Sequence, residues 1–131
     1  MSARRIISSL VFCIYIAAVA FLCFMQPDEM PQLPVILFGL PADKVGHFLM
    51  FLPFPLLGFL VFEDGQMSMT GKVLTLAILC LTGIGMAFGV EQVQAMLGYR
   101  SAETDDIIAD ATGLACGALL TISYILYRHR K

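Results

Sequence analysis

The sequence predicts an all-α integral membrane bundle of four transmembrane helices, at about 6–25, 45–62, 72–97 and 106–127. Three observations predict it. Of 131 residues, 59% are hydrophobic and only 14% charged, where a soluble domain carries about a quarter charged. Mean hydropathy is +0.84. The apolar residues also gather into four stretches near the roughly 20 residues that a bilayer span requires. Inside hydrocarbon each amide must find its partner within its own segment, so such stretches are helical. The length is that of one domain, and residues 1–131 read as a single transmembrane unit.

The first span, Ile6 to Met25, follows Arg4 and Arg5. Its apolar core is longer than that of a signal peptide, and the bulky FLCFMQ offers no small-residue cleavage site, so the helix is expected to be retained. The second, Val45 to Phe62, contains Pro53, Pro55 and Gly58. A kink is expected there, because each proline removes a helix hydrogen bond and crowds the preceding turn. The third runs from Lys72 to Leu97, with its apolar part ending near Val90, and the fourth from Asp106 to Tyr127. Between the first two, QPDEMPQLPVILFGLPAD is proline-rich with an apolar island. It is too short to cross and is expected to lie along the interface. Cys13, Cys23, Cys80 and Cys116 all fall inside spans, so no disulfide scaffold is implied.

Basic residues give the orientation, because short loops rich in Lys and Arg stay in the cytoplasm. Four spans put Arg4, Arg5, Lys72, Arg128, Arg130 and Lys131 on one side, against Lys44 and Arg100 on the other. Both termini are therefore expected to be cytoplasmic. Gln26 to Lys44 and Gly98 to Asp105 face outward, while Glu63 and Asp64 lie inside. The basic tail reads as an anchor for anionic lipid heads. No basic face exists beyond that tail, so nucleic-acid binding is not expected.

The acids are more informative than their small effect on topology. Asp43 and His47 are four apart, Glu91 and Gln94 three, Asp106 and Asp110 four. Each pair shares one helix face. At about 100° per residue Gly113 and Gly117 continue the face of Asp106 and Asp110. GLACG is a small-xxx-small strip of the kind that lets helices approach closely, and GMAFG, Gly85 to Gly89, is expected to supply another. Glu91 lies about 28 Å beyond Lys72 at roughly 1.5 Å per residue. Asp43, Lys44, His47, Glu91, Gln94, Arg100, Asp106 and Asp110 are thus expected at one level, lining a polar pocket at the outer end of the second, third and fourth helices. Ionisable groups in membrane helices cost a few kcal/mol each and normally face inward with partners. Arg100 suits Glu91 or Asp106. Lys44 suits another carboxylate, and His47 suits Asp43 or Glu91.

These residues resemble the VanZ-like family of bacterial integral membrane proteins. The early D-K-x-x-H motif reads DKVGH here. The later pattern reads EQVQAMLGYRSAETDDIIADATGLACG. The matching positions are Asp43, Lys44, His47, Glu91, Gln94, Arg100, Asp106, Gly113 and Gly117; Asp110 stands where the family usually has asparagine. The family is named for a member associated with teicoplanin resistance. The resemblance therefore implies a multi-pass protein of the bacterial inner membrane with a role in the cell envelope, without supplying a reaction.

Three functions follow from the cluster. In the first, the pocket binds a polar head group of a membrane lipid or a cell-wall precursor. Its excess of carboxylates suits an amine, a metal ion or a basic peptide. In the second, His47, Glu91 and Asp106 are catalytic candidates, with Asp110 beside them, for acid–base chemistry on an envelope lipid, since a base must reach its proton; holding a catalytic metal is the lesser alternative. In the third, the charges only lock the helices together. No nucleophile motif and no second histidine near the cluster accompany these residues, His129 being in the tail, and no metal or other cofactor is expected.

Overall fold

A computed structural model of the chain describes residues 2–25, 36–98, 101 and 103–131. Its elements are α1 (Ala3–Phe24), β1 (Ile36–Leu37), β2 (Leu40–Pro41), α2 (Ala42–Phe51), α3 (Phe54–Phe62), α4 (Met69–Met96) and α5 (Thr104–His129). Four spans, Ala3–Phe24, Ala42–Phe62, Met69–Met96 and Thr104–His129, are long and apolar enough to cross a bilayer. The chain is a multi-pass helical membrane protein. Its spanning helices begin two or three residues before the apolar runs, and α1 and α4 do so on serine caps. The Ser2 hydroxyl accepts the Arg5 N–H at 3.4 Å, and the Ser68 hydroxyl accepts the Gly71 N–H at 3.1 Å.

The second span is broken where its prolines predict. The Leu52 N–H still reaches the Phe48 carbonyl at 3.0 Å, and the next turn restarts with Leu57 N–H on the Pro53 carbonyl at 3.0 Å. Beside the break, the Tyr15 hydroxyl of α1 donates to the Met50 carbonyl. A neighbouring helix thereby satisfies backbone that proline disrupts. Before α2, β1 and β2 form a minimal antiparallel hairpin. Its two turn residues, Phe38 at φ 52° and Gly39 at φ 76°, are both left-handed, the geometry of a two-residue hairpin turn. The expected interfacial segment is described only in this part, because Gln26 to Val35 lie outside the described residues.

Glycine sets how α2 and α5 meet. A Cβ on Gly113 would stand 2.4 Å from the Phe48 carbonyl oxygen, and one on Gly117 2.2 Å from that of Leu52. The two helices touch backbone to backbone, which only a hydrogen side chain permits. Phe51, Phe54, Phe59, Leu79, Ala87, Leu114 and Ile125 fill the core beneath this contact.

On α4 the expected strip is corrected. Gly85 and Gly89 face open space. The buried stripe is Leu76, Leu79, Gly83, Ala87, Glu91 and Gln94. A Cβ on Gly83 would lie 2.6 Å from the Leu114 side chain. The reason is angular: Gly85 stands two residues, about 200°, round the helix from Gly83.

The terminal ends of α1, α3 and α5 are fastened together. An Arg4 guanidinium nitrogen donates to Glu63 Oε2 at 2.5 Å and to the Tyr124 hydroxyl at 3.0 Å, and that hydroxyl lies 3.2 Å from the same carboxylate oxygen. Both chain ends and the α3–α4 connection therefore share one end of the bundle. The start of α2, the end of α4 and the start of α5 share the other.

Candidate functional site

The polar side chains gather at that second end. The Phe48–Gly113 contact holds the first turns of α2 and α5 close, so the neighbouring His47 lies against Asp110. His47 Nδ1 is 2.9 Å from Asp110 Oδ1, and Nε2 is 3.6 Å from Asp106 Oδ2. All three residues are buried, Asp110 completely. Lys44, one turn outward, donates to Asp106 Oδ1 and lies 2.6 Å from Glu103 and 3.1 Å from Asp43. Its ammonium caps the cluster at the rim, where Asp43 and Glu103 are exposed.

Glu91 approaches from α4 and is 1% exposed. Its Oε2 accepts the Glu103 N–H at 3.4 Å, which ties the end of α4 to the start of α5. Among the described residues, its Oε1 has no hydrogen-bond partner, and neither has Asp110 Oδ2. Five carboxylates (Asp43, Glu91, Glu103, Asp106, Asp110) thus share two bases, Lys44 and His47, among the described residues. One donor atom each from His47, Glu91 and Asp106 falls within 4.8 Å of the others.

The match to the VanZ/LLP1 family model runs over residues 8–127. The chain belongs to the VanZ/LLP1 family. It is also 31% identical over 121 residues to an uncharacterized protein of Schizosaccharomyces pombe. That match covers 92% of this chain and 66% of the yeast protein, so the chain spans slightly under two thirds of its relative's length. No solved structure matches.

In this VanZ/LLP1 chain, the partners expected for His47 are replaced. Asp43 turns to Lys44, and Asp110 takes the imidazole instead. Gln94 is buried beside the cluster, but its amide donates to the Cys23 carbonyl of α1 at 2.5 Å. It closes α1 onto α4. Arg100 lies outside the described residues. Two carboxylates carry more than the sequence reading gave them. Glu103, placed in the sequence only within the outward-facing segment Gly98 to Asp105, reaches Lys44 with its carboxylate and Glu91 with its N–H. Glu63, read only as an inward-side acid, is buried at the opposite end on Arg4 and Tyr124. Its signal was available: it follows FLVF with no turn residue between.

A concavity lies away from this cluster and is apolar. It is a groove of about 470 Å³ between α1, α3 and α4, with Phe12, Ile16, Phe54, Leu79 and Met86 among its walls.

Proposed function

We propose that this VanZ/LLP1 protein is a binding protein of the cell envelope, whose polar centre takes up the head group of a lipid or lipid-linked precursor at the outer leaflet. The observation that supports this reading most strongly is the pair of buried carboxylate oxygens, Glu91 Oε1 and Asp110 Oδ2, that meet no donor among the described residues. A network that served only to lock helices would satisfy its members, since each buried acceptor left open costs about 1–3 kcal/mol. An excess of buried acceptors suits a ligand that brings positive charge or N–H and O–H groups.

In this proposal the chain sits in a bacterial inner membrane with both termini cytoplasmic. The bias of Arg4, Arg5, Lys72, Arg128, Arg130 and Lys131 toward one end favours that orientation. The similarity to a yeast protein favours a lipid head group, which every membrane offers, over a bacterial wall precursor. Glycopeptide resistance, the trait behind the family's name, is one phenotype that altered handling of envelope lipids would give.

The test is lipid retention. Protein purified into detergent or nanodiscs is presented with a panel of envelope lipids, and retained species are read by native mass spectrometry. One head-group class should be held by the unaltered chain and lost in Glu91→Gln, at equal membrane abundance. Equal retention by both proteins contradicts the proposal. A second reading, acid–base catalysis, draws on the 2.9 Å pair of His47 and Asp110, a base with an orienting carboxylate. Turnover of the retained lipid, abolished in His47→Gln, would favour it.

A further inference from the structure

We infer that His47, Glu91 and Asp106 are the ligands of a divalent metal ion, with Asp110 holding the imidazole in place. The inference deepens the binding reading and rests on it only for where the site lies.

Three helices each present a donor to one small volume. The three candidate atoms lie within 4.8 Å of one another, and all three side chains are buried. The imidazole is already set for a metal. A carboxylate accepts, so the 2.9 Å contact of Asp110 Oδ1 with Nδ1 places the proton on Nδ1 and leaves Nε2, 3.6 Å from Asp106 Oδ2, with its lone pair. A carboxylate behind a histidine is the usual outer support of a metal-bound imidazole; it fixes the tautomer and raises basicity.

The spacing agrees. His47 Nε2 and Asp106 Oδ2 are 3.6 Å apart, longer than a normal hydrogen bond. Two donors about 2.1 Å from a tetrahedral ion stand about 3.4 Å from each other. The pair is thus spaced for an ion between them. Glu91 supplies the third donor of the set, and its buried Oε1 has no hydrogen-bond partner among the described residues.

The neighbouring acids supply a contrast. Asp43, Glu103 and Asp106 also form a trio with ligand spacing, but the Lys44 ammonium already sits among them. The rim cluster has its cation built in. In the inner trio, His47 and Glu91 meet no ammonium or guanidinium of the described residues. One nitrogen and two carboxylates suit Zn²⁺ or Mn²⁺. Three protein ligands leave a coordination position open, and a phosphate oxygen of a lipid head group is the ligand that such an ion would take there.

The test uses the metal alone. Full-length protein in detergent is stripped with EDTA, then titrated with ZnCl₂ and with MnCl₂ by calorimetry, with bound metal counted by mass spectrometry. One ion per chain is expected. Glu91→Gln should lower the affinity, and Asp110→Asn should weaken it about 10–100-fold. Asp64→Asn, at an exposed acid of the opposite end, should leave it unchanged. Circular dichroism and elution volume establish that each variant is folded, and Asp110→Asn, which keeps all three ligands, serves if Glu91→Gln does not fold. Absence of stoichiometric binding by either ion, or equal affinities in the unaltered, Glu91→Gln and Asp110→Asn proteins, overturns the inference. Lipid enters neither arm. Metal binding without lipid retention would keep this inference and remove the head-group reading; lipid retention indifferent to EDTA would do the reverse.

Discussion

Replacing Gly113 by alanine drives a methyl group into the backbone of α2. The new Cβ would stand 2.4 Å from the Phe48 carbonyl oxygen and 3.3 Å from the Leu52 nitrogen. A side chain could rotate away from such a contact. A helical carbonyl cannot, so the helices must part by about 0.6 Å to restore a 3.0 Å approach. Two effects then oppose one another. Alanine favours the helix by about 1 kcal/mol over glycine, while overpacking costs about 1–3 kcal/mol. A third effect decides the sign. His47 adjoins Phe48, and Asp110 is one turn from Gly113, so the same opening stretches their 2.9 Å contact toward 3.5 Å. That weakens a buried hydrogen bond and adds about 1 kcal/mol of cost. The expected net loss in Gly113→Ala is about 1–3 kcal/mol. Unfolding in mixed detergent–SDS micelles measures it. Gly85→Ala, whose Cβ meets nothing within 4 Å, should be neutral or stabilised by up to about 1 kcal/mol. Should Gly113→Ala prove as stable as the parent, or Gly85→Ala the more damaging, the packing of α2 on α5 described above is wrong.

Other outcomes follow from the same contacts. Arg4→Ala strands the buried Glu63 carboxylate and should cost about 1–3 kcal/mol, more than Glu63→Gln, which removes the charge itself; the reverse order in the same unfolding assay would contradict the Arg4–Glu63–Tyr124 fastening. Tyr15→Phe removes the donor to the Met50 carbonyl and should cost about 0.5–1.5 kcal/mol; a stabilised variant would mean that the broken span does not rely on α1. For orientation, a cysteine-free background carrying Phe38→Cys should react with a membrane-impermeant maleimide in intact cells, and one carrying Asp64→Cys should not. Labelling of Asp64→Cys alone would invert the proposed topology.

Much of the fold was legible because apolar runs of membrane length leave the backbone few choices. The broken second span followed from Pro53 and Pro55. The face shared by Asp106, Asp110, Gly113 and Gly117 followed from the helical period, since charged residues fix the phase of an otherwise greasy helix. Where the phase was set by glycines, the reading failed. Apolar side chains surround α4 on every side, so Gly85 and Gly89 looked as good as Gly83 and Ala87. Counting back from Glu91 in fours would have chosen Ala87 and Gly83. The pairing inside the cluster was not legible. Asp43 and His47 share a face, yet the imidazole reaches another helix, because the backbone contact at Gly113 brings Asp110 nearer than the rim. Glu63 and Glu103 were missed for a related reason. Both lie at helix ends, where sequence does not separate a solvated acid from one covered by a neighbouring span.

The central claim is that side chains from separate spans meet in one buried polar chamber. The most direct measurement is a double-mutant cycle on His47→Ala and Asp110→Ala, read by unfolding free energy. A coupling of about 1.5–3 kcal/mol is expected for a buried hydrogen bond to a charged group. Additivity within about 0.5 kcal/mol would place the two residues apart and contradict the account.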